Sequence, residues 1–296
     1  MRKFYNKAII LAFTLFVCLL TSCGYNNPEG IPSYIQIDTA YFNAKYPNIQ
    51  GSSSSAIVDV WVYVDNQIQG IYELPVVFPI LRGGSTNIFL RAGIMDNGSI
   101  DSRVYYPFYD KYDLGSVNLI RGEITKIESP TFNYISPDNM TFKWIEDFEN
   151  YSSSLIANQN SEADMQIATG GEVFEGKFSG KIVLENENTY FEVETSKSYS
   201  DLPTNGSAIY LELDYKVGST IEVGIKATYE GSAIIKYPAI YIVSRDNWRK
   251  IYVNLTQLIL ECYNASYFNI YISGGNADED TIEKTEFYFD NIKLVY

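Results

Sequence analysis

The strongest constraint on this chain is a hydrophobic period of two that recurs between polar turns. Within residues 57–64, Val58, Val60, Val62 and Val64 share one face, while Asp59, Trp61 and Tyr63 share the other. Ile209, Leu211, Leu213 and Tyr215 oppose Tyr210, Glu212 and Asp214 in the same way. The pattern returns at Ile221, Val223, Ile225 and Ala227 and at Phe268, Ile270 and Ile272. Successive side chains of a strand point to opposite faces, so each segment sets one face toward a core and the other away from it. Gly, Asn, Asp and Pro separate the segments, as expected of an all-β chain built from antiparallel sandwiches. The 26 tyrosines and 16 phenylalanines suit half-buried strand positions. Residues 255–263 are the best short helix candidate.

The N-terminus has a different pattern. Arg2, Lys3 and Lys7 precede an apolar run over 9–20, which Thr21-Ser22-Cys23 closes. A basic start, about a dozen apolar residues and small residues before a break make a secretory signal. The run is shorter than the roughly 20 residues a membrane-spanning helix needs. A thiol directly after small side chains is the arrangement of a bacterial lipoprotein signal. We therefore expect 1–22 to be a lipoprotein signal peptide and Cys23 to be the lipidated first residue of the mature chain. Gly24 in place of an acidic residue fits outer-membrane sorting, with the protein periplasmic or surface-exposed and its partner a membrane reached through the lipid.

Charge and composition exclude much of the chemistry. Residues 1–22 hold three basic residues and no acid, so residues 23–296 carry 19 Lys+Arg against 36 Asp+Glu. No nucleic-acid partner is expected, because a phosphate backbone is held by clusters of Lys and Arg. The chain has no histidine, which removes Ser-His-Asp and Cys-His catalysis and imidazole-ligated zinc. Of three cysteines, Cys18 lies in the signal and Cys23 takes the lipid. Cys262 is left alone, as a buried small hydrophobe. Core burial, without a disulfide, has to hold about 270 residues together.

Composition divides the rest into a tether at 23–33, a β-rich unit at 34–136 and a second unit at 142–296. The serine run 52–55 is expected as a mobile loop, Asp65-Asn66 as a hairpin turn, and the aromatic run Tyr105 to Tyr112 as core and edge packing. The first unit's VWVYVDNQIQGIYELP, followed by ILRGGSTNIFLRAGI, resembles PEGA-like envelope modules and N-terminal domains of Bacteroidetes lipoproteins. That resemblance covers residues 57–95 and implies a small immunoglobulin-like or transthyretin-like sandwich that spaces or docks.

The second unit opens with Trp144-Ile145-Glu146-Asp147-Phe148-Glu149, continues through EGKFSGKIVL at 175–184, and ends with FYFDNIKL at 287–294. Phe287 and Phe289 share one parity, but Ile292 and Leu294 fall on the other. A one-residue slip flips every later side chain, so a β-bulge at Asp290-Asn291 is expected to restore the phase. The order of the three motifs resembles galactose-binding-like jelly rolls, to which many carbohydrate-binding modules belong. The resemblance implies one structural Ca2+ held by Asp147 or Glu149, the backbone oxygens of Lys177 or Ser179, and Asp290. Hard oxygen ligands in loose geometry suit that ion.

Sugar rings stack their CH faces on exposed aromatics beside a few polar groups. The candidates are Tyr190, Tyr210, Tyr237, Tyr241 and Trp248, with Arg245 and Asn247 beside Trp248; of these, Trp248, Tyr241 and Tyr210 are the residues expected to bind ligand. No S-x-x-K pair, phosphate loop or selected carboxylate pair supports catalysis, so an enzyme is not expected. Asp38-Thr39-Ala40 and Asp280-Thr281-Ile282 fit a D-[ST]-apolar glycosylation pattern. The expected function is a lipid-anchored envelope protein whose jelly roll binds glycan. The alternative is a structural or protein-interaction subunit of an envelope complex without a sugar site.

Overall fold

The computed structural model describes residues 30–185, 187–231, 233–276 and 284–296. The signal segment, Cys23, most of the tether and the Asp280-Thr281-Ile282 motif lie outside the described residues. The first half holds β1 (Ser33–Ile37), β2 (Tyr41–Phe42), α1 (Pro47–Gln50), β3 (Asp59–Val64), β4 (Gln67–Glu73), β5 (Val76–Ile80), β6 (Gly84–Met95), β7 (Arg103–Tyr105), β8 (Tyr112–Leu119), β9 (Ile124–Lys126) and β10 (Thr131–Phe132). The second holds β11 (Phe142–Glu146), β12 (Leu155–Ala157), β13 (Gln166–Thr169), β14 (Phe178–Leu184), β15 (Tyr190–Thr195), β16 (Tyr210–Val217), β17 (Ile221–Thr228), β18 (Ile234–Ile242), β19 (Arg245–Asn254), α2 (Thr256–Glu261), β20 (Tyr267–Gly275) and β21 (Thr285–Val295). The short helix α2 falls inside the segment expected to be helical, and Cys262 behind it is buried.

In the first half a sheet ordered β4-β3-β6-β7, with β8 also on β6, faces a three-stranded sheet ordered β5-β1-β9. Val60, Val62, Val64, Ile88 and Leu90 point into the core between them, together with Ile35 and Phe78. Asp65 and Asn66 have φ of 48° and 66°, the left-handed pair that closes a two-residue hairpin between β3 and β4. Two pairings depart from the expected antiparallel pattern: β1 runs parallel to β9, and β2 parallel to β10.

The second half is an antiparallel jelly-roll sandwich. One six-stranded sheet runs β13-β14-β21-β16-β19 with β11 also on β21, and one five-stranded sheet runs β12-β15-β20-β17-β18. The inward parity expected for β16, β17 and β20 is observed: Leu211, Leu213, Val223, Ile225, Ile270 and Ile272 are all fully buried between the sheets.

The expected bulge in the last strand is present. Glu212 pairs with Lys293 but Asp214 pairs with Asp290, so β21 carries one extra residue there, and Asn291 has φ of 48°. Phe287, Phe289, Ile292 and Leu294 are thereby all fully buried despite their change of parity. The neighbour of β21 also changes at this point, from β14 up to Phe289 to β11 from Ile292 onward.

The early and middle motifs interlock with that bulge. Phe148, at φ 57°, is fully buried, and a Cβ on Gly180 would lie 2.5 Å from its Cζ. Ser179 Oγ donates to Asp290 Oδ2 at 2.6 Å. The G-x-x-S-G turn thus has one residue without a side chain beneath the Phe148 ring and one hydroxyl bound to the bulge.

Candidate ligand-binding face and the junction between the sandwiches

The outer face of the five-stranded sheet carries a fixed polar network. Glu192 on β15 is 4% exposed. Its Oε1 lies 2.6 Å from Lys226 Nζ and its Oε2 lies 2.7 Å from Lys236 Nζ. Tyr190 donates to Glu192 Oε2 at 2.6 Å, and Asn158 donates to Oε1. Burial alone would raise the Glu192 pKa, but the bonds from Lys226, Lys236 and Tyr190 hold it down at about 2. Lys226 also pairs with Glu194. Lys236 reaches Glu222 Oε1 at 3.0 Å and lies over the Tyr271 ring at 4.3 Å, while Tyr271 donates to Glu222 at 2.7 Å.

Sheet register explains the arrangement. Glu192 and Glu222 both sit opposite Ser273 on β20, on its two sides, and Tyr241 on the edge strand β18 is opposite Glu222. Gly224 faces Tyr271, whose hydroxyl would be 2.8 Å from any Cβ there, so glycine leaves room for the ring to lie across the sheet. A cleft of about 560 Å3 crosses this face between the amides of Asn158 and Asn269, with Glu192 and the two lysines lining it. Tyr241 is 63% exposed and Tyr267 is 49% exposed.

The outer face of the six-stranded sheet has a different environment. Sequence parity points Tyr210, Glu212 and Asp214 away from the jelly-roll core, and the first half of the chain covers them. Glu212 Oε1 accepts from Tyr106 at 2.7 Å and from Tyr134 at 3.0 Å. Tyr109 and Tyr252 share a hydroxyl bond of 2.9 Å. Lys293 Nζ donates to Ser52 O at 2.6 Å and to Tyr134 at 3.1 Å. Lys250, its side chain 3% exposed, lies 3.4 Å from Glu212 Oε2 and 3.8 Å from Asp214 Oδ2.

The serine run is therefore part of the junction, contrary to the expected mobile loop: Ser54 donates to Asp214 at 2.8 Å and Ser52 O holds Lys293. Within the expected aromatic run, Tyr106, Phe108 and Tyr109 are buried at this junction.

Burial governs titration here. It pushes the Tyr106, Tyr109 and Tyr134 hydroxyls upward, and the Glu212 charge adds to the effect. Burial lowers Lys293 to about 8 against the pull of Glu212. Burial raises Asp290 to about 7, and the nearby Asp214 contributes in the same direction.

The sequence-derived ligand residues separate. Tyr241 lies on the open face just described. Tyr210 does not face a ligand: it is 4% exposed, donates to Asp96 at 2.9 Å and accepts from Asn254, because the first sandwich sits on its side of the sheet. Trp248 is half-buried on the six-stranded sheet, 5.2 Å from the Phe174 ring, and lines a junction cleft of about 680 Å3 with Arg245 and Arg249. Tyr190 joins the Glu192 network, whereas Tyr237 packs against the core and bonds Tyr229.

The residues expected to ligate calcium come to one place. Asp147, Glu149, Asp290 and Gly176 line a cleft of about 600 Å3. One oxygen of Glu149 and one of Asp147 are engaged by the protein: Glu149 Oε1 accepts from Lys177 N at 2.8 Å and Phe178 N at 3.1 Å, and Asp147 Oδ1 accepts from Glu149 N at 3.1 Å. Asp290 holds Ser179 and the Asn291 N–H. Among the described residues, no group of three or more acidic, histidine or cysteine side chains is gathered to hold a metal ion.

The Glu192–Lys226–Lys236–Glu222 network went unnoticed in the sequence. Its only signal there is the polar parity of β15, β17 and β20, which does not say which side chains meet.

No protein-family profile matches the chain, and no curated relative matches it. Among solved structures it is similar to one described by the promiscuous specificity of carbohydrate-binding modules of the β-sandwich superfamily. That similarity has 14% identity and a TM-score of 0.41, covering 80% of this chain and 84% of the other. A xylan-binding domain of carbohydrate-binding family 22 is similar at 10% identity and a TM-score of 0.38, covering 52% of this chain and 93% of its own. A family 11 module from Clostridium thermocellum, in complex with a β-1,3-1,4-mixed-linked tetrasaccharide, is similar at 13% identity and a TM-score of 0.36, covering 51% and 93%.

Proposed function

We propose that the chain is a non-catalytic carbohydrate-binding protein of the cell envelope, whose saccharide lies across the outer face of the five-stranded sheet. The observation that carries this reading is the Glu192 network. Two lysines, a tyrosine and an asparagine hold one carboxylate in place at the floor of an open cleft. Fixed acceptors and donors in the cleft, with the exposed ring of Tyr241 opposite Glu222 farther along the same sheet face, give a sugar both hydrogen-bond partners that need no reordering on binding and a stacking face.

The same network argues against glycoside hydrolysis on this face. A general acid has to be protonated near neutral pH, and Glu192 is held ionised by its lysines down to about 2. Burial works against the Glu222 charge, but Tyr271, Tyr241 and Lys236 lower its pKa. In this reading the lipid on Cys23 fixes the protein to the outer membrane, and the first sandwich is the spacer between that anchor and the sugar face.

Glycan-array binding of the full chain, compared with Tyr241→Ala, tests the reading. The expected result is a polysaccharide bound by the parent and lost in the variant at an unchanged melting temperature. An array without saccharide binding, or binding indifferent to Tyr241→Ala, overturns the site. Recovery of a protein partner alongside an empty array supports the structural-subunit alternative.

A further inference from the structure

Four large aliphatic side chains are exposed at one pole of the first sandwich: Ile31 at 55%, Leu81 at 68%, Ile120 at 50% and Ile124 at 58%. Backbone and side-chain bonds draw these segments together. Gly122 N donates to Pro32 O at 2.8 Å and Tyr34 N to Glu123 O at 2.9 Å. Arg121 Nη1 donates to Ile31 O at 2.9 Å, and Ser33 Oγ to Arg82 O at 2.7 Å. Arg82 also pairs with Asp65 at 2.6 Å, bringing the β3–β4 hairpin turn to the same pole. Three turns and the entry of the chain therefore converge where Ile31, Leu81, Ile120 and Ile124 protrude.

The other end of this sandwich is occupied. Strand β6 runs twelve residues from Gly84 at the pole to Met95, roughly 40 Å at strand rise. Just beyond it Asp96 bridges to Tyr252 of the second sandwich, and Asn97 N donates to Tyr252 O at 3.0 Å. The aliphatic pole thus lies at the end of β6 opposite the second sandwich and is the end at which the chain enters from residue 30. The seven residue steps from Cys23 to Gly30 reach at most about 25 Å when fully extended.

We propose that this pole is a bilayer-docking surface, with Ile31, Leu81, Ile120 and Ile124 seated at the headgroup–acyl boundary of a phospholipid membrane. The proposal rests on the lipid-anchor reading of Cys23 for the proximity of the membrane. A lipid at Cys23 keeps the pole within reach of the bilayer, and apolar tips removed from water there add to the hold of the acyl chain, as a second membrane signal does for a singly anchored protein. Arg82 and Arg121 adjoin Leu81 and Ile120 in the chain and bring two guanidinium groups to the same pole, suited to lipid phosphates. The first sandwich then stands on the membrane through its β-turns and holds the second sandwich away from it.

Site-specific fluorescence on the full chain tests this. Cys262 is buried, so Leu81→Cys, Ile120→Cys and, as a control near the far end of β6, Ile100→Cys are each labelled with an environment-sensitive dye. The preparations are reconstituted with phosphatidylethanolamine–phosphatidylglycerol vesicles. A blue shift with quenching by lipid-borne quencher is expected at 81 and 120 but not at 100. Equal emission at all three positions overturns the proposal. A shift at 81 and 120 without lipid quenching, together with dimers in sedimentation, overturns it in favour of self-association. Intact mass reads the lipid on Cys23 separately. A lipidated chain without the shift defeats docking alone. An unlipidated chain defeats the anchor reading; with Cys18→Ser and Cys23→Ser added so that only the introduced thiol takes the dye, the shift on vesicle addition then decides docking by itself.

Discussion

Tyr106 Oη donates to Glu212 Oε1 at 2.7 Å across the two halves of the chain, and both side chains are buried. Glu212 also accepts from Tyr134 and faces Lys250, so removing its carboxylate leaves the buried Lys250 ammonium with Asp214 alone at 3.8 Å and takes the shared acceptor from two hydroxyls. Breaking a buried charge cluster from one side costs about 3–5 kcal/mol. Glu212→Ala is expected to lose that much in urea denaturation, and Tyr106→Phe about 1–3 kcal/mol. Because the junction is shared, intrinsic fluorescence and far-UV dichroism are expected to report one coincident transition. A loss below about 1 kcal/mol for Glu212→Ala would show that solvent enters the cluster.

The bulge in β21 sets the phase of the last five residues. Inserting one alanine after Asn291 puts Ile292 and Leu294 on the outer parity and Lys293 on the core side, whereas deleting Asn291 removes the extra residue and keeps Phe289, Ile292 and Leu294 on one face of a regular strand. The insertion variant is expected to yield no folded protein, as judged by one-dimensional NMR dispersion. Asn291→Gly keeps the left-handed backbone and loses only the side-chain bonds to Asp214 and Glu175, so it is expected to fold with a loss of about 1–2 kcal/mol. A well-folded insertion variant would mean that the bulge does not set the phase.

Much of this was legible in the sequence, and the reason lies in the period of two. Val60, Leu211, Val223 and Ile270 follow local alternation, which fixes which way a side chain points once a strand forms. The slip between Phe289 and Ile292 even located the bulge. Alternation does not say what covers the outward face, and so Tyr210, taken for a solvent-side residue, is buried under Tyr106 and Phe108. The same gap hid the serine run's place at Lys293, 241 residues away in sequence. The Glu192 site was missed because its members come from β15, β17, β18 and β20, and only the register brings Lys226 and Lys236 to one carboxylate.

Gly180 is the position where the middle motif has no tolerance for a side chain. A Cβ there would meet Phe148 at 2.5 Å and Met165 Sδ at 2.9 Å, with Phe148 fully buried. Overpacking a closed core costs about 1–3 kcal/mol. Gly180→Ala is expected to lower the unfolding free energy by that amount, and Gly171→Ala, where nothing lies within 4 Å, to leave it unchanged within about 0.5 kcal/mol.

Stability is expected to depend on pH with two opposed slopes. Glu192 and Glu286 are both held at about 2, below the ordinary 4.5, by their lysine and tyrosine partners against the effect of burial. A depressed carboxylate stabilises the fold above its unfolded pKa, so this contribution is lost as pH falls from about 4.5 toward 2. Asp290 behaves in the opposite sense. Its pKa is raised from 3.8 to about 7, so its ionisation costs stability progressively as pH rises between those values. Wild type measured against Asp290→Asn by denaturation at pH 4.5, 6 and 8 is expected to lose ground as pH increases. A difference constant across that range would place the Asp290 carboxylate in an ordinary solvated setting.

Asp290 also decides how the three jelly-roll motifs are held together. An oxygen-ligated cation at this cleft would be held by the ionised Asp290, Asp147 and Glu149 carboxylates. Here Ser179 and the Asn291 N–H bind Asp290, the Lys177 and Phe178 N–H groups bind Glu149, and burial favours the neutral form of Asp290. Hydrogen bonds thus join the early strand, the G-x-x-S-G turn and the bulge. The melting temperature is expected to be unchanged by a calcium chelator, while Ser179→Ala, which strips the buried hydroxyl from Asp290, costs about 1–3 kcal/mol. A drop in melting temperature on chelation, restored by added Ca2+ and abolished in Asp290→Asn, would show instead that an ion displaces these donors and joins the three motifs.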